Sequence, residues 1–294
     1  MEDKTVIVIG AANMDICGRP KKSNLRDSNP GSITLSPGGV GRNIAHNLKL
    51  MGLDVKFIAA FGDDANGDAL LKSCEARGFD MHLSRRIPGE RTSGYLYVTD
   101  DSGDMLIGVA DMEIVRHITP EYLFDVLDEI NAADAVVIDA NLYPETLRFI
   151  GENVTAPLYA DPVSTAKAER LKPILGKLHA IKPNDLEAMS MTGKHDPESA
   201  AKALLEAGVQ RVFVSLGENG MIAAENGKLK HFPCGRVNLI NATGCGDSAT
   251  AALVWAGVQG FDTEQSVAAA MKAAAVTMEY DAAVSPYMSA DKLI

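Results

Sequence analysis

The 294-residue chain is long enough for one large domain, or for one domain with a smaller appendage. With 46% hydrophobic and 23% charged residues it has an ordinary globular balance, and a formal charge of −11 argues against wrapping nucleic acid or an anionic membrane through phosphate contacts. A local basic pocket for a small anion remains compatible with that charge. Four cysteines (Cys17, Cys74, Cys234 and Cys245) stand far apart, with no CxxC pair and no His/Cys cluster at zinc spacing, and read as reduced thiols of a cytosolic protein. The opening MEDKTVIVIG is acidic and runs into a strand rather than a signal peptide. No apolar run approaches the roughly 18 residues of a membrane span. A cytoplasmic location is expected.

Taken in chain order, TVIVIG (Thr5–Gly10) is a β-branched run ended by glycine and predicts a buried strand. GRNIAHNLKLMG places Ile44, Ala45, Leu48 and Met51 on one helical stripe, with Gly52 as C-cap. DVKFIAAFG predicts the next strand and GDALLKSCEARG the next helix. ADAVVIDA, APLYADP, LHAIKPN and RVFVSLG then alternate with helical stretches such as PESAAKALLEAG. Short apolar strands alternating with amphipathic helices predict a mostly parallel sheet covered on both faces.

Two segments break this rhythm. GRPKKSNLRDSNPGSITLSPGG is polar and turn-rich, and RTSGYLYVTDDSGDMLIGVADMEI holds two alternating strands, Thr92–Thr99 and Met105–Ala110, around the turn DDSGD. They predict a small antiparallel sheet inserted at about 16–36 and 90–114, either a lid over a cleft or a surface hairpin and dimer edge.

INATGCGDSATAALVWAG (Ile240–Gly257) carries the strongest chemical signal. A strand-like approach ends at Asn241, and Thr243–Gly246 then opens an apolar helix. The first amides of a helix lack intrahelical partners, the macrodipole favours negative charge there, and glycines let an anion approach closely. Asp247 in the first turn is expected to be held ionised by that dipole. An anion hole beside a carboxylate base suits phosphoryl transfer to a hydroxyl; a simple turn with a capping aspartate explains the same residues equally well. Two other phosphate motifs are excluded or weak. No GxxxxGK[ST] loop is present, and GGVGRN (Gly38–Asn43) lacks the third glycine of a dinucleotide fingerprint and does not follow the first strand.

SPGGVGRNIAHNL and NATGCGDS, together with NMD (Asn13–Asp15), KPNDLE (Lys182–Glu187) and SLGENG (Ser215–Gly220), resemble in content and order the ribokinase-like (PfkB) carbohydrate kinase family over essentially the whole chain. SPGGVGRNIA, DMEI (Asp111–Ile114), DPVSTAK (Asp161–Lys167) and IKPNDLEA look most like its pseudouridine kinase branch. The resemblance implies a three-layer α/β/α sandwich, formed by one domain over 1–294 with a small β-lid. The implied activity is ATP-dependent phosphorylation of a nucleoside 5′-hydroxyl.

By the resemblance, Asp247 is the base, and the amides of Gly244, Cys245 and Gly246 hold charge on the phosphoryl group. Cys245 replaces the alanine usual there. Asn13, Asp15, Gly38, Gly39 and Asn43 bind the sugar, whereas Asp111 and Met112 lie toward the base; Lys167 neutralises phosphate or contacts the base, although it reads better as a solvated lysine. Asn184, Ser215, Gly217, Gly220 and Thr243 line the ATP side. Glu187 places Mg²⁺ through water, yet Asn184 with Glu187 three residues on is also a helix-capping pattern. Asn241 stands where the family commonly has an aspartate tied to a monovalent cation, which puts potassium activation in doubt. The lone Trp255 is expected in the core, and His46 and His195 on the surface. The same chemistry on ribose, a ketohexose or another nucleoside is the nearest alternative. A binding regulator without turnover is the rival from another class, and pairing of lids into a homodimer is implied by the family.

Overall fold

The computed structural model describes residues 4–235 and 239–294. From the N-terminus, β1 (Thr5–Ile9) leads into β2 (Asn13–Pro20), β3 (Gly31–Gly38), α1 (Val40–Leu50), β4 (Asp54–Ile58), β5 (Ala60–Gly62), α2 (Ala65–Glu75) and β6 (Arg85–Ile87). Next come β7 (Gly94–Thr99), β8 (Met105–Asp111), α3 (Pro120–Asp125), α4 (Leu127–Asn131), β9 (Ala135–Asp139), α5 (Pro144–Asn153), β10 (Leu158–Asp161), α6 (Thr165–Ala168) and β11 (Ala180–Ile181). The chain finishes with α7 (Asp185–Thr192), α8 (Pro197–Glu206), β12 (Arg211–Ser215), β13 (Met221–Glu225), β14 (Lys228–Phe232), α9 (Cys245–Val258) and α10 (Thr263–Met278).

Among the described residues, eight strands form the main sheet in the order β14-β13-β12-β11-β10-β9-β1-β4. It is parallel from β12 to β4, and β13 and β14 are added as antiparallel edge strands. The β-branched runs dictate this burial: Val6 and Val8 pack into one apolar layer and Ile7 and Ile9 into the other. The first layer is completed by α1, α2, α9 and α10, the second by α3 to α8. Each fully buried apolar side chain contributes about 1.5–3 kcal/mol, and Trp255 lies in the first layer, edge-on to Phe261. The stripe on α1 is buried as its spacing predicts.

The segments that break the rhythm meet in a second sheet, β3-β2-β7-β8. Both hairpin pairs are antiparallel, and they join through a parallel β2–β7 pairing. The run DVKFIAAFG divides into β4 and a short β5, which leaves the main sheet to pair with β6. Leu239 and Ile240, the approach to Asn241, are exposed and not part of a strand, and residues 236–238 lie outside the described residues.

Because its core strands are parallel, the main sheet delivers its carboxyl ends to one edge, where open α/β sheets gather functional groups. The turn into α1 is held by Gly39 at φ 102°, with the Ala11 carbonyl 2.5 Å from the position a methyl group would take. Gly39→Ala should therefore cost about 2 kcal/mol or more, read as a lower urea midpoint at unchanged slope.

Candidate active site

Asp139, at the carboxyl end of β9, is fully buried and accepts three backbone hydrogen bonds. Ala11 N and Gly41 N donate to Oδ2 and Asn141 N to Oδ1, each at 2.9 Å. Burial pushes its pKa up against the pull of these amides. The carboxylate ties together the loop leaving β1, the first turn of α1 and the loop leaving β9.

The first two of those segments carry or adjoin the residues expected at the sugar. Asn13 Nδ2 donates to Asp15 Oδ1 at 2.6 Å, and Gly38 faces them across the β2–β3 pair. A methyl group at Gly38 would lie 2.0 Å from Asp15 Oδ2, so only glycine leaves room for the carboxylate. Burial raises the pKa of Asp15, opposed by Asn13 and by Arg42. One turn into α1, Asn43 Nδ2 donates to Asp247 Oδ2 at 2.8 Å, joining residues 204 apart in sequence.

Asp247 sits in the first turn of α9, whose N-cap Gly244 has φ 81°. A side chain at Gly244 would strike the Ala283 carbonyl at 1.9 Å, so that turn needs glycine in both conformation and space. The expectation of an Asp247 held ionised by the helix dipole is corrected. Burial, reinforced by Asp161 and Asp139 and only partly offset by Asn43 and Lys182, pushes its pKa up to about 8. Desolvation and like charge outweigh a dipole worth at most about 2 kcal/mol.

Sequence reasoning did not single out Asp139, Asp161 or Lys182. Asp161 is the register partner of Asp139 on β10; it accepts a 2.7 Å bond from Thr250 Oγ1 and lies 3.7 Å from Lys182 Nζ, both side chains 7% exposed. Lys182, just past β11, reaches within 3.4 Å of where a methyl group on Gly246 would be. A buried cation therefore stands beside the α9 turn. Its signal was the lysine of KPNDLE, quoted above only as part of a motif.

A cavity of about 470 Å³ is lined by Asp15, Asn43 and Thr243 together with Arg19, Arg42 and Tyr97. Asn241 also faces it, with its side-chain oxygen accepting from Thr243 N at 2.8 Å. An adjoining slot of about 140 Å³ is lined by Ser215, Gly217 and Gly220 and, across it, by Cys245, Gly246 and Cys234. Burial, with Asp247 adding, raises the Cys245 thiol to about 11. Asn184 and Glu187 form a capping box on α7: Asn184 Oδ1 accepts from Glu187 N and Glu187 Oε2 from Asn184 N. Both a cap and a position beside the strand ends are therefore realised, since Asn184 also bridges to Ser215.

Three residues expected near the base do not line the larger cavity. Asp111 ends the outer strand β8, exposed, and accepts from Glu113 N. Met112 packs against the layer of α3 to α8. Lys167 is half-buried and donates to Asn141 Oδ1 rather than lying in solvent; burial lowers its pKa, with Asp139 opposing. His46, expected at the surface, is partly buried and lines the cavity.

Helix layers on both faces of a mostly parallel sheet, with a glycine turn, a carboxylate and a buried lysine at its carboxyl edge, are the architecture expected of a phosphotransferase of the ribokinase type. The chain belongs to the pfkB family of carbohydrate kinases, whose model matches residues 3–290. It is 35% identical over 304 residues to the Escherichia coli (strain K12) pseudouridine kinase, with 100% of this chain and 96% of that protein covered. A carbohydrate kinase from Agrobacterium tumefaciens superposes with a TM-score of 0.85 at 29% identity, covering 99% of this chain and 95% of that one. The Arabidopsis thaliana ribokinase complexed with ribose and ATP shares the fold, with a TM-score of 0.86 at 20% identity over 100% and 99% of the two chains. The chain is an ATP-dependent sugar or nucleoside kinase. Among the described residues no helix is long and apolar enough to cross a membrane.

Asp139→Ala removes the acceptor of three buried amides. Each group left unpaired costs about 1–3 kcal/mol, so equilibrium urea unfolding should show a loss of about 3 kcal/mol or more.

Proposed function

We propose that the chain transfers the γ-phosphoryl group of ATP to the 5′-hydroxyl of pseudouridine, yielding pseudouridine 5′-phosphate. The observation that carries the acceptor is the 35% identity, over the whole chain, to a pseudouridine kinase. Asn13 and Asp15 grip the vicinal hydroxyls of the ribose, and Gly38 and Gly39 let the backbone approach it. Asn43 orients the Asp247 carboxylate toward the 5′-hydroxyl. Asp247 takes the hydroxyl proton as the new O–P bond forms, and the bridging oxygen leaves with ADP. The amides of Gly244, Cys245 and Gly246, with Thr243 and the Lys182 ammonium beside them, neutralise charge on the moving group. Ser215, Gly217 and Gly220 line the nucleotide slot.

Among the described residues no group of three or more His, Cys, Asp or Glu side chains is arranged to hold a metal ion. Mg²⁺ would enter with the phosphates of ATP, which supply most of its oxygen ligands. Glu187, with Oε2 committed to the cap, has Oε1 left to hold a metal-bound water, and Asn184 fixes its rotamer. When bound, the ion supplies positive charge on the phosphate oxygens. Asn241 brings no carboxylate, so replacing K⁺ by another monovalent cation should change the rate less than about 2-fold.

The small sheet acts as a lid over the cavity, to which β2, β3 and β7 contribute residues. Its exposed Ile33, Leu35, Met105, Ile107 and Val109 favour a homodimer paired lid to lid, since apolar patches of this kind mark contact surfaces. Light scattering should give a dimer for the wild type and a monomer for Ile107→Lys.

Asp247→Asn should lower kcat by about 10³-fold or more while pseudouridine still binds in calorimetry; retained turnover would remove Asp247 from the role of base. Because the base must be deprotonated and its pKa is raised to about 8, kcat/KM should climb about tenfold per pH unit below 8 and level off above it. A plateau reaching down to pH 6 would contradict this assignment.

A further inference from the structure

Helix α1 presents a second polar side chain to the acceptor cavity that the phosphotransfer scheme does not use. His46 follows Asn43 by three residues, so the two share a helix face, with His46 about 4.5 Å further along the axis. Both line the 470 Å³ cavity, which is larger than a free pentose fills. The His46 ring stands edge-on to Phe79, centroids 6.2 Å apart, and neither ring nitrogen hydrogen-bonds to a described residue. Burial, with Arg77 and Arg42 adding positive potential, pushes its pKa down to about 3. At neutral pH the imidazole therefore offers one N–H and one bare nitrogen.

The same cavity carries donors as well as the acceptors Asp15, Asn241 and Asp281. Arg19 and Arg77 bring guanidinium groups, and Thr34, Ser36 and Tyr97 bring hydroxyls. Arg42 is buried beneath, its two terminal nitrogens committed to Pro37 O and Ser73 Oγ. A bare ring nitrogen among donors is the complement of an imide edge, which presents one N–H between two carbonyls.

We propose that His46 is a specificity-determining residue, whose bare ring nitrogen accepts the imide N–H of a pyrimidinedione base on the acceptor nucleoside while neighbouring guanidinium and hydroxyl donors take the flanking carbonyls. This rests on the nucleoside-kinase reading of the site. A cytosine-type base has a bare nitrogen where the N–H is needed, and a free sugar leaves the histidine unpaired, so both are disfavoured. Asn43, one turn back along α1, keeps Asp247 of α9 at the reacting hydroxyl.

The test is steady-state kinetics of the wild type, His46→Ala and His46→Gln with pseudouridine and with ribose, alongside calorimetric binding of each without ATP. His46→Ala should lower the ratio of kcat/KM for pseudouridine to that for ribose about 10-fold or more, mainly through KM. His46→Gln, which keeps a donor and an acceptor, should recover part of it. A proportionate loss on both acceptors, leaving the ratio within 2-fold, overturns the proposal by making the histidine merely structural. So does pseudouridine binding to His46→Ala as tightly as to the wild type, in which case the kinase reading stands. A wild type that binds sugars but no nucleoside overturns that reading and this proposal together.

Discussion

One buried carboxylate sets the geometry on which the rest of the site depends. Asp139 gathers amides from the end of β1, the start of α1 and the end of β9, so three segments far apart in sequence leave the sheet at fixed angles. The β1 exit then carries Asn13 and Asp15, and α1 carries Asn43 and His46. Without a common acceptor each loop would have to satisfy its own buried amides, and nothing would fix their separation.

The charges near Asp139 are arranged with the same economy. Asp139 and Asp161 both act on Asp247, and Lys182, 3.7 Å from Asp161, offsets them only in part. Burial and this excess of negative charge raise the pKa of Asp247. Asp247 is the member whose pKa is lifted into the range where a proton can be gained or lost near neutrality. A carboxyl group of ordinary acidity would be a weak acceptor for an alcohol proton; one raised to about 8 has more driving force.

The sheet and its helices were legible in the sequence because their burial is local and periodic: Val6–Ile9 and Ala135–Asp139 are apolar runs, and α1 repeats its apolar stripe. The polar segment at about 16–36 was legible as part of an inserted antiparallel sheet, but not the bounds of β3, because six of its eight residues are exposed and no alternation marks a face. The Asn184–Glu187 pattern was legible as a cap and is one. Asp139, Asp161 and Lys182 were not legible as a group, since only the parallel packing of β9, β10 and β11 brings their ends together. His46 was misplaced because a lone histidine on a helix says nothing about what lies opposite its face; the neighbouring sheet supplies that.

Strand β2 belongs to both halves of the molecule. It begins at Asn13, beside the staple of Asp139, and continues as an inner strand of the small sheet, paired on one side with β3 and on the other with β7. Asp15 is thus a point on a lever whose fulcrum lies at the main sheet and whose long arm is the small sheet. If Asp15 grips the sugar as proposed, a tilt of that arm would change the distance between Asp15 and Asp247, and gripping the sugar and setting the sheet's angle would be one movement. On that proposal a water molecule, with no vicinal hydroxyls, would leave the lever unloaded, and a true acceptor would be told from solvent by mechanics as well as by contact.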